Sequence, residues 1–512
     1  MKAISRLFVG LALAGALCGC QDFDDLNSNP NKTTSGNAAM LATKLMREVM
    51  TSKGILDKGY KYIQDDFLAK DITFLEPASS AYCFNNLGRT DFDELASLRN
   101  VNEMIAAAEG SDQYDSYVAL SKFIRAYLFF TTTMRVGDIP YSEAGMGKSD
   151  IFFPKYDTQK DVILGILKEL EEADQLFAKG KKFSGDIFYN GDCAKWRKAT
   201  NSFELKILIN LYKKTSDADL KVESRINEIV SGKPLMESID DNFQIVYSNS
   251  TGQKFPLHKS QSSYTEYDLV TNVIIDKLKD LQDYRLFYYA DMTPNAKKAG
   301  ADPSSWDSYN GVDPYMPQSD IQRTANGGDI SGMNLRYEEL EGCEPQFIFS
   351  YQETNFILAE AKARGLLKGG KSAKEYYEAA IRSSMEFTDK YTPASYNHGR
   401  QMTADYISSY IASPKVAFAS TLDAQIEQII WQKYITSYCE IPFNGYFEYR
   451  RTGIPALRIA PESNENTPPS KMPVRWMYPQ NELTYNGDNV REAIQRQFGG
   501  SEDNNGLMWI LQ

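Results

Sequence analysis

The chain has 512 residues, 42% of them hydrophobic and 24% charged, with 33 Gly and 20 Pro, a balance that excludes both a collagen-like repeat and wholesale disorder. Its 5 Trp, 32 Tyr and 26 Phe need apolar surroundings, and the length suffices for one large domain or about three ordinary ones. With 56 basic against 68 acidic residues the net charge is −12, so no nucleic acid is expected as a partner.

Lys2 and Arg6 precede an apolar run, Leu7 to Leu17, that is well short of the roughly 20 residues needed to span a bilayer. Residues 1–19 are therefore expected to be a secretory signal peptide. Leu17-Cys18-Gly19-Cys20 matches a lipobox, with Cys20 as the lipidated residue and new N-terminus. Cys18 fits less well, because Leu17 would then stand where a small side chain is required. A lipid on Cys20 holds the body at a membrane surface, outside the cytoplasm, on an acidic and polar tether over residues 20–37. Beyond Cys20 the cysteines are Cys83, Cys193, Cys343 and Cys439, far apart and without CxxC spacing, which suits buried thiols or an occasional disulfide.

From residue 38 onward the pattern is mainly helical. Leu120, Ile124, Tyr127, Leu128 and Thr131 recur at helical spacing, with Ala119, Phe123, Ala126 and Phe130 widening the stripe, so this helix is expected to be buried on more than one side. Thr158 and Asp161 resemble a capping box opening a helix whose Val162, Ile163, Ile166, Leu167, Leu170 and Ala173 face inward and Glu169, Glu171 and Glu172 outward. A third helix is expected from about Cys193 to Lys213, carrying Trp196, Ala199, Phe203 and Ile207. Phe356 to Ala363, ended by Gly365, and a helix restarting at Ser372-x-x-Glu375 form a hairpin similar to a tetratricopeptide unit. Residues of about 234–344 and from 403 to 512 change texture toward Gly, Pro, Asn, Asp and aromatic residues, the composition of loops on a rigid scaffold, where binding concentrates.

No catalytic or cofactor constellation emerges. His258 and His398 are the only histidines and cannot build a His-rich zinc site. Gly145 to Ser149 ends like a phosphate-binding loop but has Ser142 where its first glycine belongs, and neither a GxSxG elbow nor a dinucleotide fingerprint is present. Asp65-Asp66 and Glu338-Glu339-Glu341 are acidic clusters, and a carboxylate pair would be needed for a glycosidase, the less favoured reading. Asp302, Asp307 and Asp313 offer oxygen ligands without the spacing of a calcium loop, so no metal is assigned. Loop composition is more informative. Trp306, Tyr309, Asn310, Tyr315 and Arg336, joined by Asp313, Asn334 and Tyr337, and a second loop with Phe74, Tyr82, Phe84, Asn85, Asn86 and Arg89, combine flat rings for the C–H face of a pyranose with hydrogen-bonding partners for its hydroxyls. Tyr82, Trp306, Tyr309, Asn310, Tyr315 and Arg336 are the candidate ligand-binding residues.

Taken in order, several stretches resemble the SusD/RagB family of nutrient-binding lipoproteins. These are Asp24-Asp25-Leu26-Asn27 with Asn29-Pro30-Asn31 after the lipobox; Arg125-Ala126 before Val136-Gly137-Asp138-Ile139-Pro140-Tyr141; Gly191-Asp192 with Lys195-Trp196 and Asn201-Ser202; Phe356 to Ala361; Gln432-Lys433-Tyr434; Glu448 with Arg450-Arg451-Thr452-Gly453 and Pro455; and Tyr478-Pro479 with Glu482 and Asn486. The basic pair expected before Tyr478 is reduced to Arg475, and a terminal Trp pair to Trp509, which suggests a divergent branch. The resemblance implies a mainly α-helical SusD-like fold, with tetratricopeptide-like helix pairs supporting a loop-rich variable lobe over residues 38–512. It also implies an outer-membrane, surface-facing lipoprotein, the acidic run after Cys20 being similar to a surface-export signal. Such a protein captures an oligosaccharide, or in some members a peptide, without cleaving it, and passes it to a SusC-type TonB-dependent transporter.

Overall fold

The structure, a computed structural model, describes residues 37–49, 60–75, 81–261, 268–440 and 444–512. The expected signal peptide, Cys20 and residues 20–36 of the tether lie outside the described residues.

The first half is helical: α1 (Ala38–Val49), α2 (Tyr60–Ala69), α3 (Leu98–Ala108), α4 (Tyr114–Val136), α5 (Gln159–Lys179), α6 (Cys193–Asn210) and α7 (Val222–Gly232). The wide apolar stripe of α4 is matched by its environment, since Ala119, Leu120, Phe123, Ile124, Ala126 and Phe130 are all buried, with neighbours on several sides. Its partner α5 starts at Thr158, whose hydroxyl accepts from the Asp161 N–H and donates to the Asp161 carboxylate, and its predicted apolar face is buried throughout. Glu169 departs from the outward placement. It turns to α4, accepting from Arg125 Nε at 3.0 Å and Tyr141 Oη at 2.9 Å, because the guanidinium lies on the α4 face that α5 covers. In α6, Asp192 caps the first turn and Trp196 sits in an aromatic box with Phe123, Phe177, Tyr189 and Phe243. The helix stops at Asn210, short of the expected Lys213, where a 3-10 turn over Tyr212–Lys214 takes over.

Gly191, just before that cap, has φ near +79°, and a Cβ there would lie 1.9 Å from the Phe183 carbonyl oxygen. Gly191→Ala is therefore expected to lose about 1–3 kcal/mol from left-handed strain alone, with the backbone collision adding to it, read as a lower urea midpoint at unchanged slope.

The second half holds α8 (Asn272–Leu281), α9 (Tyr351–Ala363), α10 (Ala373–Tyr391), α11 (Ala404–Ile411), α12 (Leu422–Thr436), α13 (Asn444–Thr452) and α14 (Gly487–Phe498), with a further helix at Gln318–Asn326 inside the segment expected to be loop-rich and shorter helical turns elsewhere. The α9–α10 hairpin follows its sequence signals. Gly365, at φ +77°, stands just past α9, and Ser372 and Glu375 form a complete capping box at the start of α10. Residues 403–452, expected to be loop-rich, instead contain three helices, because Ile407 and Tyr410, then Ile426, Ile429 and Ile430, then Tyr446 give each a buried face.

Strands are few. β1 (Ile72–Phe74) pairs antiparallel with β3 (Asp268–Val270), Ile72 opposite Val270, and β2 (Phe243–Ile245) pairs antiparallel with β4 (Gln346–Phe349) across a bulge at Phe243 and Gln244. The β1–β3 ribbon carries the loop lobe. Val312 N donates to the Val270 carbonyl and Val270 N to the Ser331 carbonyl, and a small separate core of Leu269, Val312, Ile321 and Ile330 fixes residues 310–331 over it.

Buried charges tie the helical halves together. Arg451 on α13 clamps both oxygens of Glu360 on α9, at 2.6 and 2.7 Å, and also bonds Glu448, which accepts from Lys433 on α12. Its neighbour Arg450 donates to the carbonyls of Met134 and Val474, each at 2.8 Å. Both of the arginines singled out in the sequence are thus structural. The C-terminal stretch then staples the early helices: Trp476 N to the Arg135 carbonyl, Tyr478 Oη to the Asp138 carbonyl, and Ile510 N to Gln159 Oε1. All four described cysteines, Cys83, Cys193, Cys343 and Cys439, are buried free thiols.

Asp66 on α2 is another buried carboxylate. Burial raises it to about 7 from 3.8, although the Cys439 N–H donates to it. The folded state therefore keeps a proton that the unfolded chain releases, and stability declines as pH rises from about 4 to 7. Asp66→Asn is expected to gain over the parent across that window and to hold a constant advantage above it, measured by urea unfolding at several pH values; an advantage independent of pH would overturn this.

Candidate functional site

The segment after α8 builds the site. Short helix Leu286–Tyr289 places Phe287 inward, and Tyr284 precedes it, half-buried at the edge. Asp302 accepts from the N–H and hydroxyl of Ser304, and Ser305 caps the 3-10 turn Trp306–Ser308. These local bonds aim Trp306 onto Phe287, with centroids 4.8 Å apart, and beside Tyr284 at 6.2 Å. From α11, Tyr406 stacks flat on Tyr284, 3.6 Å apart and 9° from parallel, its hydroxyl accepting from Tyr284 N and donating to the Gln282 carbonyl. Arg400 closes the group, donating from Nε to the Ser304 carbonyl at 2.9 Å and from Nη1 to Tyr284 Oη at 3.0 Å. Trp306, Tyr284, Tyr406 and Arg400 are all half-buried, so they form a ledge of rings and one guanidinium that meets solvent. The exposed carboxylate of Asp302 is held below its usual range by the Ser304 backbone and hydroxyl donors, so it remains an acceptor at the ledge margin.

The six sequence candidates do not gather at one place. Trp306 is on the ledge. Tyr309 lies beneath it, fully buried, its hydroxyl donating to the Pro303 carbonyl at 2.7 Å and its ring edge-on to Phe287 and His398. Asn310 is exposed nearby, its amide donating to the Asp329 carbonyl. Tyr315 sits elsewhere, under Arg458, whose backbone N–H its hydroxyl accepts. Tyr82 packs edge-on to Trp476 and accepts from its indole N–H at 2.9 Å, burial pushing the phenol up to about 12. The loops of Tyr82 and Tyr315 share a support, because Asn85 and Asn86 bond Asn464 and Glu465 while Ser463 bonds the Tyr315 carbonyl. Arg336 is fully buried, bonding Glu344 at 2.7 Å, the Tyr288 carbonyl and Tyr337 Oη. Burial of this kind leaves Arg336 and Tyr309 no face to offer a ligand; both shape the lobe from inside.

The remaining sequence features are committed locally. Lys148 of the loop-like 145–149 stretch is exposed and pairs with Glu103 at 2.6 Å. Glu339 and Glu341 accept from Tyr396 and Lys254. His398 faces Asp291 at 3.2 Å and the Phe287 carbonyl, and His258 bonds Ser260. Asp313 pairs with Arg458 at 2.8 Å, and among the described residues no group of three or more His, Cys, Asp or Glu is arranged to hold a metal ion.

A mainly helical scaffold bearing a loop lobe of this kind is the architecture of a class of outer-membrane-associated binding proteins. Residues 30–479 match the family profile described as starch-binding, associating with outer membrane, and the chain belongs to this SusD-like family. It is similar to a solved SusD homologue from Bacteroides fragilis NCTC 9343, 39% identical with TM-score 0.89, over 93% of this chain and all of the other. A second B. fragilis SusD homologue is 33% identical with TM-score 0.82, again over 93% of this chain and all of that one. A chitin-binding protein is 25% identical with TM-score 0.74 over the same shares. No functionally curated protein matches the chain.

Proposed function

We propose that this protein is a lipid-anchored, surface-facing outer-membrane protein that captures an oligosaccharide on the ledge formed by Trp306, Tyr284 and Tyr406 and delivers it uncleaved to a SusC-type TonB-dependent transporter. The ledge carries the reading. Half-exposed rings supply flat apolar faces for a pyranose, and Arg400, Asp302 and Asn310 supply donors and acceptors around them. The lipobox at Cys20 and the family's outer-membrane association support the anchor, and the chitin-binding relative supports a glycan. Members of the family are generally binding proteins, which agrees with the absence of a recognisable catalytic motif in the sequence.

Calorimetric titration of the mature body lacking Cys20 against glycans and peptides, with product analysis on the same samples, tests this. Saturable binding of one glycan class without new reducing ends is expected, with little dependence on salt because a neutral sugar brings no charge for the ions to screen. Release of reducing ends, abolished by one Asp or Glu substitution, would replace capture by glycosidase action.

A further inference from the structure

The turn that delivers Arg400 to the ledge is fastened by a histidine whose hydrogen bonds require a charge. Residues Asn397 to Arg400 form a tight turn, closed by Arg400 N on the Asn397 carbonyl at 2.9 Å, and both central residues are left-handed, His398 at φ +50° and Gly399 at +78°. Glycine adopts that backbone freely, whereas a histidine there is strained and has to be held. Its ring is gripped from two sides: Nδ1 lies 2.8 Å from the Phe287 carbonyl oxygen and Nε2 lies 3.2 Å from Asp291 Oδ1. Beyond the turn, the Arg400 guanidinium sits over the Tyr284 and Phe287 rings, 5.1 and 5.4 Å from their centroids.

A carbonyl oxygen only accepts, so Nδ1 carries a proton. Nε2 then either carries a second proton or points a lone pair at a carboxyl that is itself protonated. The surroundings of Asp291 decide between the two. Its Oδ1 also accepts from the Met292 N–H at 2.8 Å, and its Oδ2 bonds the Lys297 ammonium. Against burial, which would raise it, His398 and Lys297 hold this carboxyl below its ordinary range. The carboxylate is therefore ionised, both ring nitrogens of His398 donate, and the ring is an imidazolium. The other titratable groups around it are Arg400 on the same turn, the Tyr309 ring edge-on at 5.8 Å, and Asp389 of α10, which accepts from Tyr288 Oη and faces Met402 N. His258 is built the opposite way: its Nδ1 accepts from the Ser260 N–H at 3.1 Å, which takes a lone pair, and burial lowers it.

We propose that His398, as an imidazolium, is a positioning residue of the ledge: its two donated bonds pin the turn to Phe287 and Asp291 and so set Arg400 in place, and loss of its proton releases one bond, loosens the turn and weakens capture. Histidine is the side chain whose charge ordinarily changes between about pH 5 and 8, so capture should be strongest at the acid end of that span. Only the last step, weaker capture, rests on the ledge being the glycan site.

The test begins without a ligand. In the tag-free mature body labelled with 15N-histidine, NMR of the ring nitrogens at about pH 6 should show two protonated nitrogens for His398 and one for His258, the two residues being told apart with His398→Gln. A lone pair on either nitrogen of His398 at that pH overturns the proposal. Raising the pH to about 9 should remove one His398 proton and, over the same interval, speed exchange of the Arg400 amide by about threefold or more beyond its intrinsic increase, as befits loss of one hydrogen bond. That excess should be absent in His398→Gln, and an Arg400 amide indifferent to the His398 proton overturns the proposal. Calorimetry with chitohexaose then reads the ledge: Kd should rise about threefold or more between the same two pH values in the parent and stay level in His398→Gln. A rise that persists in His398→Gln overturns the proposal and assigns the dependence to another group, Asp66 first. If chitohexaose binds at neither pH, the glycan reading loses support, while the two ligand-free measurements still decide whether His398 fastens the turn.

Discussion

Arg451→Ala is expected to lower unfolding stability by about 3–5 kcal/mol, the usual penalty for removing one partner of a buried ion pair. Arg451 and Glu360 are essentially inaccessible to water, and the guanidinium makes both of its bonds to Glu360 in parallel while also reaching Glu448. Alanine would strand two carboxylates in a setting where Lys433 and Arg364 remain as the nearby cations. Lysine cannot reproduce the two-pronged grip, so Arg451→Lys should recover only part of the loss. The cluster also sets an acid limit. Against the burial that would raise it, Arg451 and Lys433 hold Glu448 down to about 2 from 4.5, and Glu360 is lowered as well. Carboxylates depressed in the folded state stabilise it above their ordinary value, and that contribution disappears as pH falls from about 4.5 toward 2. Urea unfolding at pH 7 and along an acid series measures both effects; an Arg451→Ala protein within about 1 kcal/mol of the parent would show that the cluster is not what joins α9, α12 and α13.

Trp306→Ala should weaken capture of the cognate glycan by about 1–3 kcal/mol, each 1.4 kcal/mol being tenfold in Kd. Sugar affinities are modest, so this is a large share of the total. Tyr406→Ala should act similarly, since it removes the ring stacked 3.6 Å beneath Tyr284, whereas Tyr406→Phe retains that ring and should bind close to the parent. Tyr309→Ala and Arg336→Ala make a useful contrast. Both side chains are buried, so their loss should first appear as lower stability and only then as weaker binding. If the Trp306 and Tyr406 alanine variants bind the glycan as the parent does, the ligand sits elsewhere on the lobe, and the seam between Arg458 and Tyr315 becomes the next place to look.

Much of the scaffold was legible because helices advertise themselves locally. The α5 stripe from Val162 to Ala173, the Asp192 cap and the Ser372–Glu375 box each lie within one or two turns, so the chain order alone contains their geometry. Glu169 departs from its expected face for the complementary reason: its orientation depends on Arg125, 44 residues away, and no local pattern encodes that encounter. The site was legible only in outline. Gly, Pro and aromatic residues between Asp302 and Tyr337 do form the loop lobe, but composition does not distinguish a ring that faces solvent, as Trp306 does, from one that fills the lobe, as Tyr309 does. Tyr406 and Tyr284 are 122 residues apart and sit at the edges of helical stretches, so their stacking had no sequence signature. Arg400, in the Asn397-His398-Gly399 turn, carried the one available hint, a cation in a loop of turn-forming residues.

The C-terminal staples have a bearing on how the chain comes to be folded at all. Ile510 satisfies Gln159 across 351 positions, and Tyr478 reaches the Asp138 carbonyl across 340. The junction between α4 and α5 thus stays incomplete until those distant residues have been made, which at about 5–20 residues per second is tens of seconds after the two helices emerge. With closures of that range outstanding, the early helices are expected to form first as intermediates with incomplete packing, and the junction to close slowly.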